Sequence, residues 1–215
     1  KTVFISKNLD KNSLFKSPFI PATWNVIANS LISFKAIDVS EVPQSDWIFF
    51  TSKNSVRFFF KQGLKIENCK VACVGRGTYK ELAMHTNKIN FIGDSINIKD
   101  IGLKFVKEVN KGTCVFPVSN ISKRTIQQFF IDQSKVTDLI VYETKEKSEF
   151  YNPKADILIF TSPSNARAYF KKYQLEKHQN VISMGPSTGK QLEAIGINNY
   201  KTPKYTGELG LIDLI

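Results

Sequence analysis

The sequence predicts an α/β protein with two parallel-sheet domains that arose by duplication. First, one strand–turn–helix phrase occurs twice, as FTSKNSVRFF and as IFTSPSNARAYF. Second, each copy is followed in the same register by another strand, a glycine turn and a helix. Third, strands and helices alternate along the chain, which is the pattern of parallel sheets that carry helices on their faces.

The repeat has one fixed offset. Segments 46–82 and 156–192 align without a gap at an offset of 110 residues (156 − 46 = 110). The Thr-Ser pair, an arginine in the following helix and a later Gly-x-x-Thr turn all recur at this offset. Two motifs in one register indicate a duplicated structural unit.

The middle of the chain contains one full set of strands. Its short apolar runs, such as WIFF, are typical of strands buried on both faces. The Thr-Ser pair suits a helix N-cap, and Val56, Phe59 and Phe60 follow it with helical spacing. The threonine after each glycine turn is expected to open the next helix. The strands predicted for this set are 47–50, 71–74, 89–92, 113–117 and 137–142.

The two ends of the chain are expected to form the second set. After residue 150 the sequence predicts only three strands, near 157–160, 181–184 and 198–201. Two N-terminal strands, near 2–6 and 31–36, would complete a second set of five. A short resemblance between VFISKN at Val3 and VFPVSN at Val115 supports this assignment.

These counts predict a discontinuous domain of residues 1–36 and 146–215, into which a second domain of residues 37–145 is inserted. The chain would then cross between the domains twice, near residues 34–42 and 138–148. Because two thin connectors permit hinge motion, we expect the domains to close around a ligand.

Composition narrows the functional classes. The 215 residues are 42% hydrophobic and 23% charged, with a net charge of +11, which favours an anionic partner. No apolar run approaches the ~18 residues of a membrane span, and no signal peptide opens the chain, so we expect a cytoplasmic protein. The three cysteines and two histidines lack metal-ligand or redox spacing, which predicts buried thiols and no metal site.

The repeated motifs are suited to binding anions. Ligands of open α/β sheets lie beyond the carboxyl ends of the strands, where helix N-termini expose unpaired N–H groups and partial positive charge. If the domains face one another, four such helix ends would line one cleft, which would fit a ligand with several carboxylates. Ordinary helix capping would place the same hydroxyl residues at the same positions, and that alternative stays open.

Nucleotide and nucleophile motifs are absent from the sequence. GPSTGKQ is one residue too short for a Walker loop, and GRGTYK lacks the third glycine of a dinucleotide fingerprint. There is no nucleophile elbow and no pair of catalytic carboxylates. An enzyme with this sequence is therefore expected to act by holding and shaping its substrate.

Taken together, the motifs resemble those of the uroporphyrinogen-III synthase family. The segments that carry the resemblance are FTSKNSVRFF, VGRGTYKEL, FPVSN with Lys123-Arg124 behind it, VYET around Tyr142, IFTSPSNARAYF and MGPSTGKQL. The resemblance implies two flavodoxin-like domains joined by a two-stranded connector, with the N-terminal strand returning to the C-terminal domain. It also implies a cyclising hydro-lyase of haem biosynthesis, which converts linear hydroxymethylbilane into uroporphyrinogen III with inversion of ring D and loss of water.

The resemblance also implies a set of partners. The substrate carries eight carboxylates, which would explain the positive charge, and no metal or cofactor is needed. The protein would be a cytoplasmic monomer that could receive its substrate from hydroxymethylbilane synthase. Neither nucleic acid nor membrane is expected as a partner.

Carried over position by position, the resemblance assigns catalysis to Tyr142, whose hydroxyl can donate a hydrogen bond to a departing hydroxyl group. The same ring could instead pack the connector. Lys53, Arg76 and Arg124 are candidate carboxylate partners by their charge alone, and solvated surface residues would show the same pattern. The other substrate-binding residues implied are Thr51, Ser52, Gly75, Thr78, Ser119, Asn120, Thr161, Ser162, Ser164, Gly185, Pro186, Ser187 and Thr188.

Two features depart from the family pattern. Gly189 stands where family members often have alanine, and it is expected to weaken its helix by up to ~1 kcal/mol. The sequence stops at GLIDLI, early in a predicted final helix, where a further tail would be expected.

Two other functions remain open. One is a non-catalytic two-domain binder of an anionic small molecule, and the other is a nucleic-acid binder driven by the positive charge. The second lacks any helix-turn-helix or RNA-binding signature.

Overall fold

The computed structural model describes residues 1–18, 20–95, 97–205 and 207–215, and the chain divides into two compact units. Unit 1 comprises Lys1–Ser33 together with Lys145–Ile215, and unit 2 comprises Phe34–Thr144. Each unit is an α/β structure built on a parallel sheet.

The elements alternate as the sequence predicts. The strands are β1 (Thr2–Ile5), β2 (Asn25–Ala28), β3 (Ile32–Ala36), β4 (Trp47–Phe50), β5 (Lys70–Val74), β6 (Phe91–Gly93), β7 (Cys114–Ser119), β8 (Val136–Glu146), β9 (Ile157–Phe160) and β10 (Asn180–Ser183). The α-helices are α1 (Lys53–Lys61), α2 (Arg76–Leu82), α3 (Ile98–Val109), α4 (Pro163–Phe170), α5 (Pro186–Ala194) and α6 (Glu208–Ile212). Short 3-10 helices lie at Leu14–Lys16, Gln127–Phe129 and Gln133–Lys135. None of the helices that the structure describes is long and apolar enough to cross a membrane.

The six-stranded sheet has the order β3-β8-β7-β4-β5-β6. The strands from β8 to β6 are parallel neighbours. The edge strand β3 runs the other way, because the Ile37 N–H donates to Val141 O and the Lys147 N–H donates to Leu31 O. Strands β3 and β8 both pass the boundary between the two units.

The four-stranded sheet of unit 1 has the order β10-β9-β1-β2, all parallel. The prediction that a strand near 31–36 completes this sheet is wrong, since β2 pairs with β1 there and β3 joins the other sheet. Strand β2 was missed because its side chains are only partly buried and show no clear alternation. The predicted strand 198–201 is reduced to one parallel bridge between Lys201 and Ile182.

The two sheets share one spatial order. Counted along the chain, β2-β1-β9-β10 reads 2-1-3-4, as in flavodoxin, and Lys201 bridges to the far side of β10 at the place of a fifth strand. Strands β8-β7-β4-β5-β6 repeat this arrangement when β7 is matched with β1. The chain order of unit 2 is therefore a circular permutation of the same topology.

Helices cover both faces of the unit 2 sheet. Successive side chains of a strand point to opposite faces, and in β4 both sets are apolar, so each face needs helices to bury it. In β4, Trp47 and Phe49 pack with Phe105 of α3, whereas Ile48 and Phe50 pack with α1 and α2. In unit 1, one face of the sheet packs against α4 and α5 and the other against α6. All four residues of β4 are buried, which explains why the WIFF run is continuous rather than alternating.

The last residue of β8, Glu146, belongs to unit 1 and forms an ion-pair cluster there. The Glu146 carboxylate accepts hydrogen bonds from Arg167 Nε at 2.7 Å and from Lys171 Nζ at 2.6 Å, both on α4. Burial by itself would raise the pKa of Glu146, but the hydrogen bonds from the two cations outweigh it, so the pKa lies below its ordinary value of 4.5. This cluster fixes the point at which the second connector enters unit 1.

Candidate functional site

The sequence-predicted residues of unit 2 lie at one edge of its sheet. Because β4, β5 and β7 are parallel neighbours, their carboxyl ends meet at the same edge. Thr51 follows β4, Gly75 follows β5, and Ser119 ends β7. Tyr142 is the register partner of Ser119 across a β-bulge, so it lies at this edge as well.

The start of α1 uses one predicted side chain for capping and leaves another unpaired. Ser52 accepts the N–H of Ser55 at 3.0 Å, and the Ser55 hydroxyl accepts the Ser52 N–H, which completes a capping box. Among the residues that the structure describes, none hydrogen-bonds the half-buried Thr51 hydroxyl. Thr51 can therefore bind a ligand while Ser52 holds the helix.

The start of α2 requires a glycine turn. Gly75 has φ +79° and donates its N–H to Gly93 O at 2.8 Å, and the space where its side chain would lie is open. Arg76 is exposed, whereas Thr78 is buried inside the first turn. The expectation that Thr78 and Thr188 open their helices is wrong, since Gly75 and Gly185 are the N-cap residues.

An ion pair joins the two helices of this edge. Arg57 Nη2 of α1 lies 2.7 Å from Glu81 Oε2 of α2, and only 11% of the Glu81 side chain is exposed. The hydrogen bond from Arg57 holds the pKa of Glu81 below its ordinary value of 4.5. This ion pair holds α1 and α2 in a fixed arrangement at the carboxyl ends of β4 and β5.

Two predicted residues beyond β7 are engaged within the protein. Asn120 accepts the Thr144 N–H with its Oδ1 at 2.9 Å, and in unit 1 Asn8 accepts the Ser30 N–H in the same way. Arg124 has φ +50°, and its guanidinium contacts Gln133 at 3.0 Å and Asp138 at 3.4 Å. Arg124 therefore has carboxylate and amide partners of its own.

Tyr142 is a packed aromatic as well as a strand-end residue. Its ring is 7% exposed and stacks on Phe58 with centroids 5.0 Å apart, and Phe34 meets its edge at 5.9 Å. The Tyr142 ring therefore packs against its neighbours, as the alternative interpretation of the sequence expects.

The matching residues of unit 1 follow β9 and are more heavily engaged. The Thr161 hydroxyl donates to Ser6 O at 2.8 Å, and the Thr161 N–H donates to Ser6 Oγ at 2.9 Å. Ser162 caps α4 by accepting the N–H of Asn165 at 3.3 Å and its side-chain amide at 2.9 Å. Ser164 is half-buried with no described hydrogen-bond partner for its side chain.

The start of α5 combines an exposed and a buried part. Pro186 and Ser187 are exposed, whereas Thr188 is 2% exposed. Gly185 is fully extended, with φ −178°, so its backbone does not require glycine, although the space at its Cα is open. The next glycine, Gly189, lies directly under the Tyr200 ring.

Sequence reasoning missed three residues that shape these edges. Ser6 is fully buried and holds Thr161, and the resemblance between VFISKN and VFPVSN was the signal for it. Glu208 of α6 accepts hydrogen bonds from Lys7, from the Ser13 hydroxyl at 2.9 Å and from the Leu14 N–H at 2.6 Å. Gly77 lies beneath the Lys53 side chain, and no pattern in the sequence indicates this contact.

One open cavity of the described residues lies away from these edges. It is an open space of about 1100 Å³ lined by Trp47, Lys70, Asn110 and neighbouring loops at the amino ends of β4, β5 and β7. This is the opposite edge of the unit 2 sheet.

The two buried cysteines are poor nucleophiles. Burial raises the pKa of the Cys73 thiol to about 11 and that of Cys114 well above its ordinary value, so both stay protonated at neutral pH.

Sequence comparison matches the chain to one protein family. The family model described as uroporphyrinogen-III synthase HemD matches residues 21–213. A uroporphyrinogen-III synthase of Chlorobaculum parvum is 28% identical over 193 residues, which are 78% of this chain and 77% of that protein.

Two solved structures share the fold. The uroporphyrinogen-III synthetase of Helicobacter pylori has a TM-score of 0.73 at 19% identity, covering 100% of this chain and 98% of that one. A mutant uroporphyrinogen III synthase of Thermus thermophilus has a TM-score of 0.63 at 13% identity, covering 99% and 96%.

Proposed function

The chain belongs to the uroporphyrinogen-III synthase family, and we propose that it closes linear hydroxymethylbilane into uroporphyrinogen III with inversion of ring D and loss of water. As a member of this family it is an enzyme, a cyclising lyase of porphyrin and haem biosynthesis. The match over residues 21–213 is the observation that carries the proposal.

The reaction depends on orientation. Loss of the hydroxyl group from the terminal carbon of the bilane gives an electrophilic azafulvene, which the substituted carbon of ring D attacks. The resulting spiro intermediate reopens with the ring inverted. Direct closure without an enzyme gives isomer I, so the protein must hold the bilane with the hindered carbon in reach, which is catalysis by positioning.

The strand-end edges of the two units bind the carboxylates of the bilane. In unit 2, Lys53 and Arg76 are exposed cations, and the Thr51 hydroxyl is unpaired among the described residues. In unit 1, the half-buried Ser164 and the exposed Ser187 offer neutral hydroxyl donors beside helix starts. The remaining predicted residues support these groups from the capping and buried positions described above.

Tyr142 assists departure of the hydroxyl group. Its register position beside Ser119 supports this role, as does the stack on Phe58, which holds the ring in one orientation. A phenol O–H is a hydrogen-bond donor, and donation to the leaving oxygen lowers the barrier for loss of water.

The cellular setting is part of the same proposal. The enzyme acts as a cytoplasmic monomer and takes the bilane directly from hydroxymethylbilane synthase. Its cysteines, all without disulfides, agree with a reducing compartment.

The test is the isomer of the product. Purified protein is mixed with freshly made hydroxymethylbilane, the product is oxidised, and the porphyrin isomers are separated by chromatography. We expect isomer III to replace isomer I, and a product that stays isomer I at every protein concentration would end the proposal.

A further inference from the structure

The two copies of the strand-end motif differ in charge. At the offset of 110, Lys53 matches Pro163 (53 + 110 = 163) and Arg76 matches Pro186 (76 + 110 = 186). The first residue of each helix is thus a cation in unit 2 and a proline in unit 1. Since proline supplies neither charge nor an N–H donor, the positive charge at these positions belongs to unit 2 alone.

The Lys53 side chain crosses from the start of α1 to the start of α2. A Cβ atom at Gly77 would lie 2.5 Å from Lys53 Cε and 3.4 Å from Lys53 Nζ. The lysine stem therefore occupies the space that any other side chain at position 77 would need.

The backbone gives no reason for glycine at position 77. Gly77 is not among the described residues with positive φ, and glycine is a poor residue for a helix. Glycine leaves the path of Lys53 open, and because the end of the lysine side chain is flexible, a Cβ atom at position 77 would displace Lys53 rather than disrupt the helix.

The Glu81 carboxylate is the anion nearest in effect to the Lys53 ammonium: its pKa is lowered first by the hydrogen bond from Arg57 and to a smaller extent by the charge of Lys53. The Glu81 carboxylate of α2 already pairs with Arg57 at 2.7 Å. Within the described parts of the chain, Lys53 Nζ has no hydrogen-bond or ion-pair partner. A surface cation that makes no short contact with an anion can still form a charge-assisted hydrogen bond with an external carboxylate.

We propose that Lys53 binds a carboxylate of the bilane and that Gly77 is the residue that positions it. This inference rests on the proposed function, since it names the cation that meets the substrate at the edge of unit 2. Lys53 is a binding residue in this scheme, and Gly77 acts only through it.

The test compares Lys53→Met, Gly77→Ala and the double variant by steady-state kinetics and thermal unfolding. Losing one charge-assisted hydrogen bond should raise the KM of Lys53→Met on the order of tenfold, with kcat within about twofold. Gly77→Ala should raise KM by about three- to tenfold while Tm stays constant or rises by up to about 3 °C, because alanine favours the helix. The double variant should have the KM of Lys53→Met alone, since both changes remove the same contact. Lys80→Met is the control for net charge, because it removes an exposed lysine of α2 that is not among the candidate site residues.

A Lys53→Met variant with the KM of the parent protein would overturn the binding role. Multiplying effects in the double variant, or a falling Tm in Gly77→Ala, would show that Gly77 is structural. Calorimetric titration with the octacarboxylate uroporphyrin III keeps the inference separate from the proposed function: weaker binding by Lys53→Met and Gly77→Ala supports the lysine site even if the parent protein forms no isomer III, and equal binding by all variants opposes it.

Discussion

Replacing Gly189 by alanine should lower the stability of unit 1, although helix propensity favours the change. Gly189 lies inside α5, and a Cβ atom there would approach Tyr200 Oη to 2.6 Å and two ring carbons to 2.9 Å. The ring cannot move away freely, because its hydroxyl donates to Glu193 at 2.6 Å. Glycine at this position therefore has a packing reason in this chain.

The expected size follows from two opposing effects. Alanine in place of glycine stabilises a helix by about 1 kcal/mol. Forcing an extra methyl group into a filled site costs about 1–3 kcal/mol. We expect a net loss of about 1 kcal/mol, which corresponds to a Tm lower by about 2–4 °C in a chain of this size.

The double-mutant design separates the two effects. Urea unfolding followed by circular dichroism is measured for the parent, Gly189→Ala, Tyr200→Ala and the double variant. In the Tyr200→Ala background the ring is gone, so Gly189→Ala should become stabilising by about 1 kcal/mol. If Gly189→Ala stabilises both backgrounds equally, the ring yields without cost and the reasoning is refuted.

Three further predictions concern the site and the connector. Tyr142→Phe keeps the stack on Phe58, so Tm should be unchanged while kcat falls about ten- to a hundredfold; a full kcat would remove Tyr142 from catalysis. Thr188→Val preserves the packing of a 2% exposed side chain, so an activity loss of about tenfold without a change in the urea midpoint would assign its hydroxyl to substrate, and full activity would make it structural. The lowered pKa of Glu146 means that its ionised form stabilises the fold above the ordinary pKa of 4.5, and that this stabilisation is lost as pH falls through the lower folded pKa. The urea midpoints of Glu146→Gln and the parent should therefore differ at pH 7 and converge at acidic pH, whereas a gap independent of pH would contradict the assignment.

The strand-end candidates show how far local pattern carries. The apolar runs 47–50 and 157–160 are β4 and β9 with the predicted bounds, and Ser52 and Ser162 cap the helices that follow. These features depend on residues within one turn of each other, where hydrophobic runs and side-chain oxygens act directly on the local backbone. The sequence could also predict the parallel sheets, because strands that alternate with helices have few other arrangements.

Several features that the sequence did not predict involve partners distant along the chain. Strand β3 is an apolar run that fits either sheet, and only its pairing with β8 decides which one it joins. The ion pair of Arg124 with Asp138 is likewise not visible in the sequence, because the strand next to β7 places Asp138 beside it. The hydrogen bonds that Thr161 donates to Ser6 also join residues that only the sheet brings together.

By itself the sequence determined the strand–helix alternation, the repeat at an offset of 110 residues, the starts of α1 and α4 and the family resemblance. Tertiary structure alone decided which polar side chains have hydrogen-bond or ion-pair partners within the protein. Thr161 and Arg124 have such partners, whereas no described residue hydrogen-bonds the side chain of Thr51 or Lys53. The physical reason is that hydrogen-bond and ion-pair partners are chosen by distance in space, and a repeat conserves the residue types of a motif without conserving the neighbours that each copy meets.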